Sequence, residues 1–267
     1  MAGGRASQRA ARSVVRAVVK GGSASAATSY DSDAAAYFAR MPTQPGDDWK
    51  AAANDLVTGL KADGLFAQVT ALYLFSVDAL DQELPNVLGA SYGMTRHGTV
   101  ALTARSGIAS DGTSGYYDTG FSLTSALQTA FSHGAYIVAQ SDGNSSIGVS
   151  SNGNILTCIP KGANGGTDAL LRTAMTNQAN WANAVGEAHF ALTRNGSSLA
   201  GYQDGVVKFS GAATTMSADG STILWMRRQS TFSTARLGAG WIATAVLSGL
   251  DIANLHGHLS GFFAAIA

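Results

Sequence analysis

Cysteine, glutamate, charge and long apolar runs are all scarce in this chain. Cys158 is the single cysteine among 267 residues, so no intrachain disulfide can form and the redox compartment is left open. Charged residues make up 13% of the chain, well under the ~25% of an average domain. Small polar residues must therefore cover much of the surface, as in a turn-dense β protein or a subunit that hides surface in an assembly. No stretch reaches the ~18 apolar residues of a membrane span. Arg16 interrupts Val14, Val15, Val18 and Val19 before they reach the length of a secretory signal. The expectation is a chain made in the cytoplasm, neither exported nor inserted in a membrane. Glu83 and Glu187 are its only glutamates, and neither lies in an alternating strand with a second acid two or four residues away. The Glu-x-Asp-x-x-Glu arrangement of retaining sandwich glycosidases is absent, which argues against an enzyme that sets two carboxylates across a sugar.

Residues 189 to 209 carry the clearest fold signal. Phe190/Leu192, Ala200/Tyr202 and Val207/Phe209 form three short alternating runs, separated by Asn195-Gly196 and Asp204-Gly205. Asn-Gly and Asp-Gly suit the left-handed backbone of tight hairpins, and the period of two predicts a β-meander with one face on a core. With 46% hydrophobic residues the chain can bury one large β core plus a small helical region. The class expected is mainly β, an antiparallel sandwich.

Three segments are expected along the chain. Residues 1–29 form a basic helical arm and flexible linker, with Arg5, Arg9, Arg12, Arg16 and Lys20 spaced to make one stripe on a helix. All five bases in the first twenty residues are unopposed by acid, so the arm carries +5 and the remainder, with 12 bases and 17 acids, −5. Such a stripe fits an acidic partner through salt-sensitive contacts. Residues 30–88 read as helical, with one helix from Asp31 to Pro42 and a second from Asp47 that places Trp49, Ala53, Leu56, Val57 and Leu60 on one face before Gly64. Leu65 to Phe75 is too uniformly apolar for periodicity to separate helix from strand. A short helix is expected over Ser76–Leu84, stopped by Pro85. Residues 89–267 show short apolar runs every eight to twelve residues, including Thr99–Thr103, Tyr116–Phe121, Ala135–Ala139, Ile155–Ile159, Ile223–Met226 and Ile242–Val246. They close with an amphipathic helix opened by Ser248 and Asp251.

From Thr103 to Phe121 the chain reads Thr-Ala-Arg-Ser-Gly-Ile-Ala-Ser-Asp-Gly-Thr-Ser-Gly-Tyr-Tyr-Asp-Thr-Gly-Phe. This resembles the opening strands of laminin-G-like, concanavalin A-like sandwich domains in phage and prophage virion proteins, where a GDGT-x-x-Y-x-DTGF run is typical. Leu192–Val206 resembles the central strands of the same domain, and the Leu-Ser-x-x-Asp-Ile-x-x-Leu-His helix its terminus. The helical stretch Tyr30–Ala79 resembles what precedes that sandwich, so the likeness spans residues 30–267 and leaves the arm outside. It implies a concanavalin A-like jelly roll and a virion structural protein of tail-fibre or head-fibre type, docked on other virion proteins through its arm. Homo-oligomers, trimers by analogy with fibres, are the implied assembly.

Other chemistries leave little trace. No Gly-x-Ser-x-Gly elbow occurs, and Cys158 has no histidine nearby in sequence. His256 and His258 would point about 200° apart on a helix, so they would not share a metal. Gly238-Ala-Gly240-Trp-Ile-Ala243 lacks the βαβ context of a dinucleotide fingerprint. No cofactor and no metal site is expected. Binding remains, and a sandwich lectin stacks an aromatic ring on a pyranose while Asn, Asp and Arg bond its hydroxyls. Candidate groups are Tyr116 with Asp118, Trp181 with Asn180 and Asn183, and Arg227 and Arg228 after Trp225. Host-surface glycan attachment is the leading expectation. The alternatives are a head fibre or capsid decoration subunit that binds only virion proteins, and a polysaccharide depolymerase.

Overall fold

The structure, a computed structural model, describes residues 29–122, 130–139, 147–149, 157–159, 168–173, 176–182, 186–212, 222–228 and 231–267. Helix α1 (Ser32–Ala39) starts where the Asp31 side chain accepts the Asp33 N–H at 2.9 Å. Helix α2 (Asp47–Ala62) has two acids in its first turn, which favours that end of the helix dipole, and stops at Gly64 with φ +73°. The apolar run that follows divides into a single turn, α3 (Leu65–Gln68), and a strand, β1 (Ala71–Leu74).

The strands make two antiparallel sheets. The first holds β13 (Val206–Ala212), β12 (Ser198–Gln203), β11 (Ala188–Asn195), β6 (Ala130–Ala139), β17 (Arg236–Ala243), β4 (Gly107–Ser110) and β3 (Val100–Thr103) in that order, with β1 also paired to β17. The second runs β10 (Thr176–Ala182), β9 (Asp168–Thr173), β8 (Thr157–Ile159), β7 (Ile147–Val149), β14 (Thr222–Trp225), β5 (Tyr116–Ser122), β2 (Thr95–His97). A two-stranded ribbon, β15 (Arg227–Arg228) with β16 (Thr231–Phe232), follows β14. The expected antiparallel sandwich with flanking helices is the architecture found.

Three layers result from how the first sheet is buried. Its inner face contributes Tyr73, Phe75, Phe131, Phe190 and Leu192 to a core shared with Tyr117, Ile223 and Trp225 of the second sheet. Its outer face, with Leu72, Leu74, Ala191, Tyr202 and Trp241, is covered by α1, α2 and α4 (Gly249–Ile266) through Tyr37, Trp49, Leu56, Leu255 and Phe262. Each such side chain removed from water contributes roughly 1.5–3 kcal/mol before entropy is counted. Trp241 lies flat only because position 134 is glycine: a Cβ there would sit 2.7 Å from the indole and 2.4 Å from the Phe190 carbonyl. The terminal helix opens with a capping box between Ser248 and Asp251, and Ile252, Leu255, Leu259, Phe262 and Ile266 are all buried.

Several sequence expectations need correction. Asp204 and Gly205 both have positive φ, as a primed hairpin turn requires, and the meander puts one face on the core between the sheets, but its other face is buried as well. Ala191 opposes Tyr202 and Phe190 opposes Gln203, so Phe190/Leu192 and Ala200/Tyr202 lie on opposite faces, both buried because α4 roofs the outside. Residues 76–84 are turns and bends rather than a helix: the Gln82 side chain accepts the Asp78 and Ala79 N–H groups, and Asp78 accepts from Gly46 and Arg105. The last strand is Arg236–Ala243, not Ile242–Val246, because its glycines take neighbouring rings, Phe263 at Gly238 and Trp225 at Gly240. The expected division at 88/89 cuts across the first sheet, since β1 precedes it. The arm residues Arg5, Arg9, Arg12, Arg16 and Lys20 lie outside the described residues.

Candidate functional site

Alternation along β5 buries Tyr117, Thr119 and Phe121 and leaves Tyr116, Asp118 and Gly120 on the outer face of the second sheet. Tyr116 opposes His97 on the edge strand β2, and the two rings stack at 4.5 Å and 10°. From the other side, Arg227 places its guanidinium 4.6 Å from the Tyr116 centroid and 5.4 Å from that of Phe232. Met226, with φ +68°, turns the chain out of β14 and lets Arg227 reach back in this way. Because β2 and β14 flank β5, the Tyr116 ring is approached from both sides. A sugar laid on Tyr116 itself would have to displace one neighbour, and Arg227, Phe232 and Asp118 around it are each half-buried. One Asp118 oxygen accepts the Gly120 N–H at 2.8 Å.

The other candidate residues do not join this group. Asn180 and Trp181 lie on β10, five strands from β5 at the opposite edge of the sheet, which is about 24 Å at ordinary strand spacing. Asn183 lies outside the described residues. Arg228 pairs with Thr231 in the ribbon, next to Arg227. Trp225 is fully buried between the sheets. His97 and Phe232 were missed from sequence, and only the β2–β5 register and the ribbon reveal them.

The first aspartate of the resemblance motif, Asp111, is engaged in turn geometry. Asp111 accepts the Ser114 hydroxyl and the N–H groups of Ser114, Thr113 and Gly115, which together hold its carboxyl far below the usual range. Gly115 is needed beside it, because a Cβ would fall 2.0 Å from the Thr99 carbonyl oxygen.

The two glutamates sit in different environments. Glu83 is fully buried, held by Arg96 at 3.1 Å and Tyr117 at 3.2 Å, and burial raises its pKa. A carboxyl without solvent access cannot reach a polysaccharide. Glu187 is exposed and accepts the Tyr136 hydroxyl. The two terminal histidines diverge: His256 stacks on His189 at 5.7 Å, whereas His258 meets Asp63 at 2.8 Å. Among the described residues no group of three His, Cys, Asp or Glu could hold a metal, and no helix is long and apolar enough to cross a membrane.

No protein-family model matches the sequence, and no curated protein matches it. Solved structures do. Domain 4 of AbnA, an extracellular arabinanase of Geobacillus stearothermophilus solved with arabinotriose, matches with TM-score 0.56 at 17% identity, over 70% of this chain and 98% of that one. The receptor-binding domain of botulinum neurotoxin C/D mosaic serotype gives 0.52 at 14%, over 72% and 51%. A mutant Trypanosoma rangeli sialidase gives 0.51 at 14%, over 80% and 38%. This chain thus spans about half of the toxin domain and little more than a third of the sialidase. At these identities the likeness establishes the sandwich fold.

Proposed function

We propose that the chain is a non-enzymatic virion protein of fibre type whose sandwich attaches the particle to a host-surface glycan. The contact surface in this reading is the outer face of the second sheet at His97, Tyr116, Asp118, Arg227 and Phe232. The observation that carries it is the guanidinium held over two aromatic rings beside a carboxylate, on the sheet face that the helices leave open. Arg and Asp supply hydrogen bonds to sugar hydroxyls, and ring edges supply apolar surface. The arabinanase domain solved with arabinotriose and the toxin receptor-binding domain support a binding use of this scaffold. Burial of Glu83 supports binding over hydrolysis.

The test is adsorption of the full-length protein to host cells and to an array of host glycans, compared with Arg227→Ala. Saturable binding lost in the variant is the expected result. No binding by the parent protein, or equal binding by both, overturns attachment, and release of reducing ends from host polysaccharide would move the assignment to a depolymerase. The protein's absence from purified particles would remove the virion role. A capsid decoration or head-fibre role is favoured by Val206 and Val207, both more than half exposed on the edge strand β13, a surface suited to a neighbouring subunit.

A further inference from the structure

Both faces of the Tyr116 ring are taken, one by His97 and the other by Arg227, so a glycan on this side of the molecule needs an aromatic surface elsewhere. Tyr92 supplies one. It keeps 39% of its surface exposed, whereas Tyr116, His97 and Phe232 are each half-buried. Pairing register fixes its place: His97 opposes Tyr116, Thr95 opposes Asp118, and three residues earlier the Tyr92 ring meets Phe121 at 5.0 Å and 57°. Residues 92–97 therefore run antiparallel beside β5 along the edge of the second sheet, a span of about 17 Å at ordinary strand rise. Between its ends lie the exposed Thr95, the half-buried Asp118 and the exposed Gly120, where an added Cβ would meet nothing within 4 Å. The strip is open and polar in its middle, with aromatic rings at both ends.

The backbone at Tyr92 is held against its own preference. Its φ is +61°, in the left-handed region that a bulky side chain rarely enters and that glycine or asparagine would occupy at lower cost. A buried bond holds it there: the hydroxyl of the fully buried Tyr73 donates to the Tyr92 carbonyl at 2.8 Å. Strain of this kind persists where the surrounding structure over-determines a residue, and here it is spent on a ring turned toward water rather than on a core side chain. Such a ring offers the apolar surface that packs on the C–H face of a pyranose.

We infer that the outer-face site continues along this strip and takes an extended, neutral oligosaccharide, with one sugar stacked on Tyr92, the hydroxyls of a middle sugar on Asp118 and Thr95, and the far end at Arg227 and Phe232. A single sugar cannot reach both ends. The Asp118 carboxylate accepts hydroxyls and repels a uronate, which sets the middle of the strip to a neutral sugar. This inference rests on the outer-face reading of the Tyr116 group and adds the second end of that site.

Calorimetric titration of the full-length protein with linear gluco-, galacto- and mannosaccharides, from monosaccharide to pentasaccharide, tests it beside the host-glycan array. In at least one series affinity is expected to rise roughly tenfold or more from the monosaccharide to the tetrasaccharide. Tyr92→Gly should erase that gain without lowering the melting temperature, because glycine accepts the left-handed backbone, and Tyr92→Phe should keep it. Tyr92→Asn, which tolerates the same backbone, repeats the measurement if the glycine variant does not fold. Array binding with no gain in any series, a gain that survives loss of the ring, or a gain lost equally in Tyr92→Phe overturns the strip and leaves the outer-face reading standing. Failure of the parent protein to bind array and oligosaccharides alike overturns both.

Discussion

Trp241 donates its indole N–H to His189 Nε2 across 2.9 Å, in the layer between the first sheet and α4. The bond requires an imidazole without a proton on that nitrogen, and burial drives the His189 pKa down to about 3. His133, inside the sandwich with both ring nitrogens unpartnered, is likewise pushed down to about 3 by burial.

Acid should therefore unfold this protein early. Below the unfolded-state value near 6.5 the unfolded chain binds protons that the folded one refuses, so stability is full above about pH 6.5 and is lost as pH falls toward 3. Each histidine contributes a slope of about 1.4 kcal/mol per pH unit within that window. Urea midpoints measured from pH 7.5 to 4.5 should fall steadily, and His133→Leu should flatten the dependence. A midpoint unchanged over that range would contradict the buried neutral state.

Gly134→Ala should cost about 2–3 kcal/mol, because the added methyl collides with a backbone carbonyl and with the rigid Trp241 ring rather than with a flexible side-chain end. Chemical denaturation followed by tryptophan fluorescence reads both the loss and the displacement of the ring.

Ser248→Ala removes the acceptor for the Asp251 N–H at the start of α4 and should lower stability by about 1 kcal/mol. Since α4 roofs the first sheet, hydrogen exchange should accelerate in β11 and β12 as well as in the first turn of the helix. Acceleration confined to the helix would show that the roof and the sheet open independently.

Glu83→Ala should destabilise by about 3 kcal/mol, since it removes the acceptor of the buried Tyr117 hydroxyl and leaves Arg96 without its carboxylate partner. Glycan binding by the surviving folded fraction should be unaltered, a result that titration at low temperature can check.

Arg227→Lys should weaken glycan binding roughly tenfold with no change in melting temperature, because an ammonium cannot lie flat across Tyr116 and Phe232. Array binding beside a thermal scan measures the two quantities together.

Local chemistry made part of this molecule readable from its residues alone. Helix ends marked by Asp31, Gly64 and Ser248, the turn at Asp204-Gly205, and the buried face of α2 depend on neighbours within a few positions, and each lies where the pattern predicts. Ala71–Leu74 gave no period because both of its faces are buried, one by the second sheet and one by the helices. The Ser76–Leu84 expectation failed for another reason: Asp78 and Gln82 hold partners at Gly46, Arg105 and Thr43 that are distant in sequence.

Sequence by itself determined the class of fold, because alternation, turn residues and capping are local and the antiparallel layers follow from them. Tertiary structure decided which surface is open. The helices had to bury their own apolar stripes and did so on the outside of the first sheet, and strand order then brought Tyr116 to His97 and Arg227 while carrying Trp181 to the far edge. Residues more than a hundred positions apart meet only through pairing registers, which long-range packing selects and no short window of sequence contains.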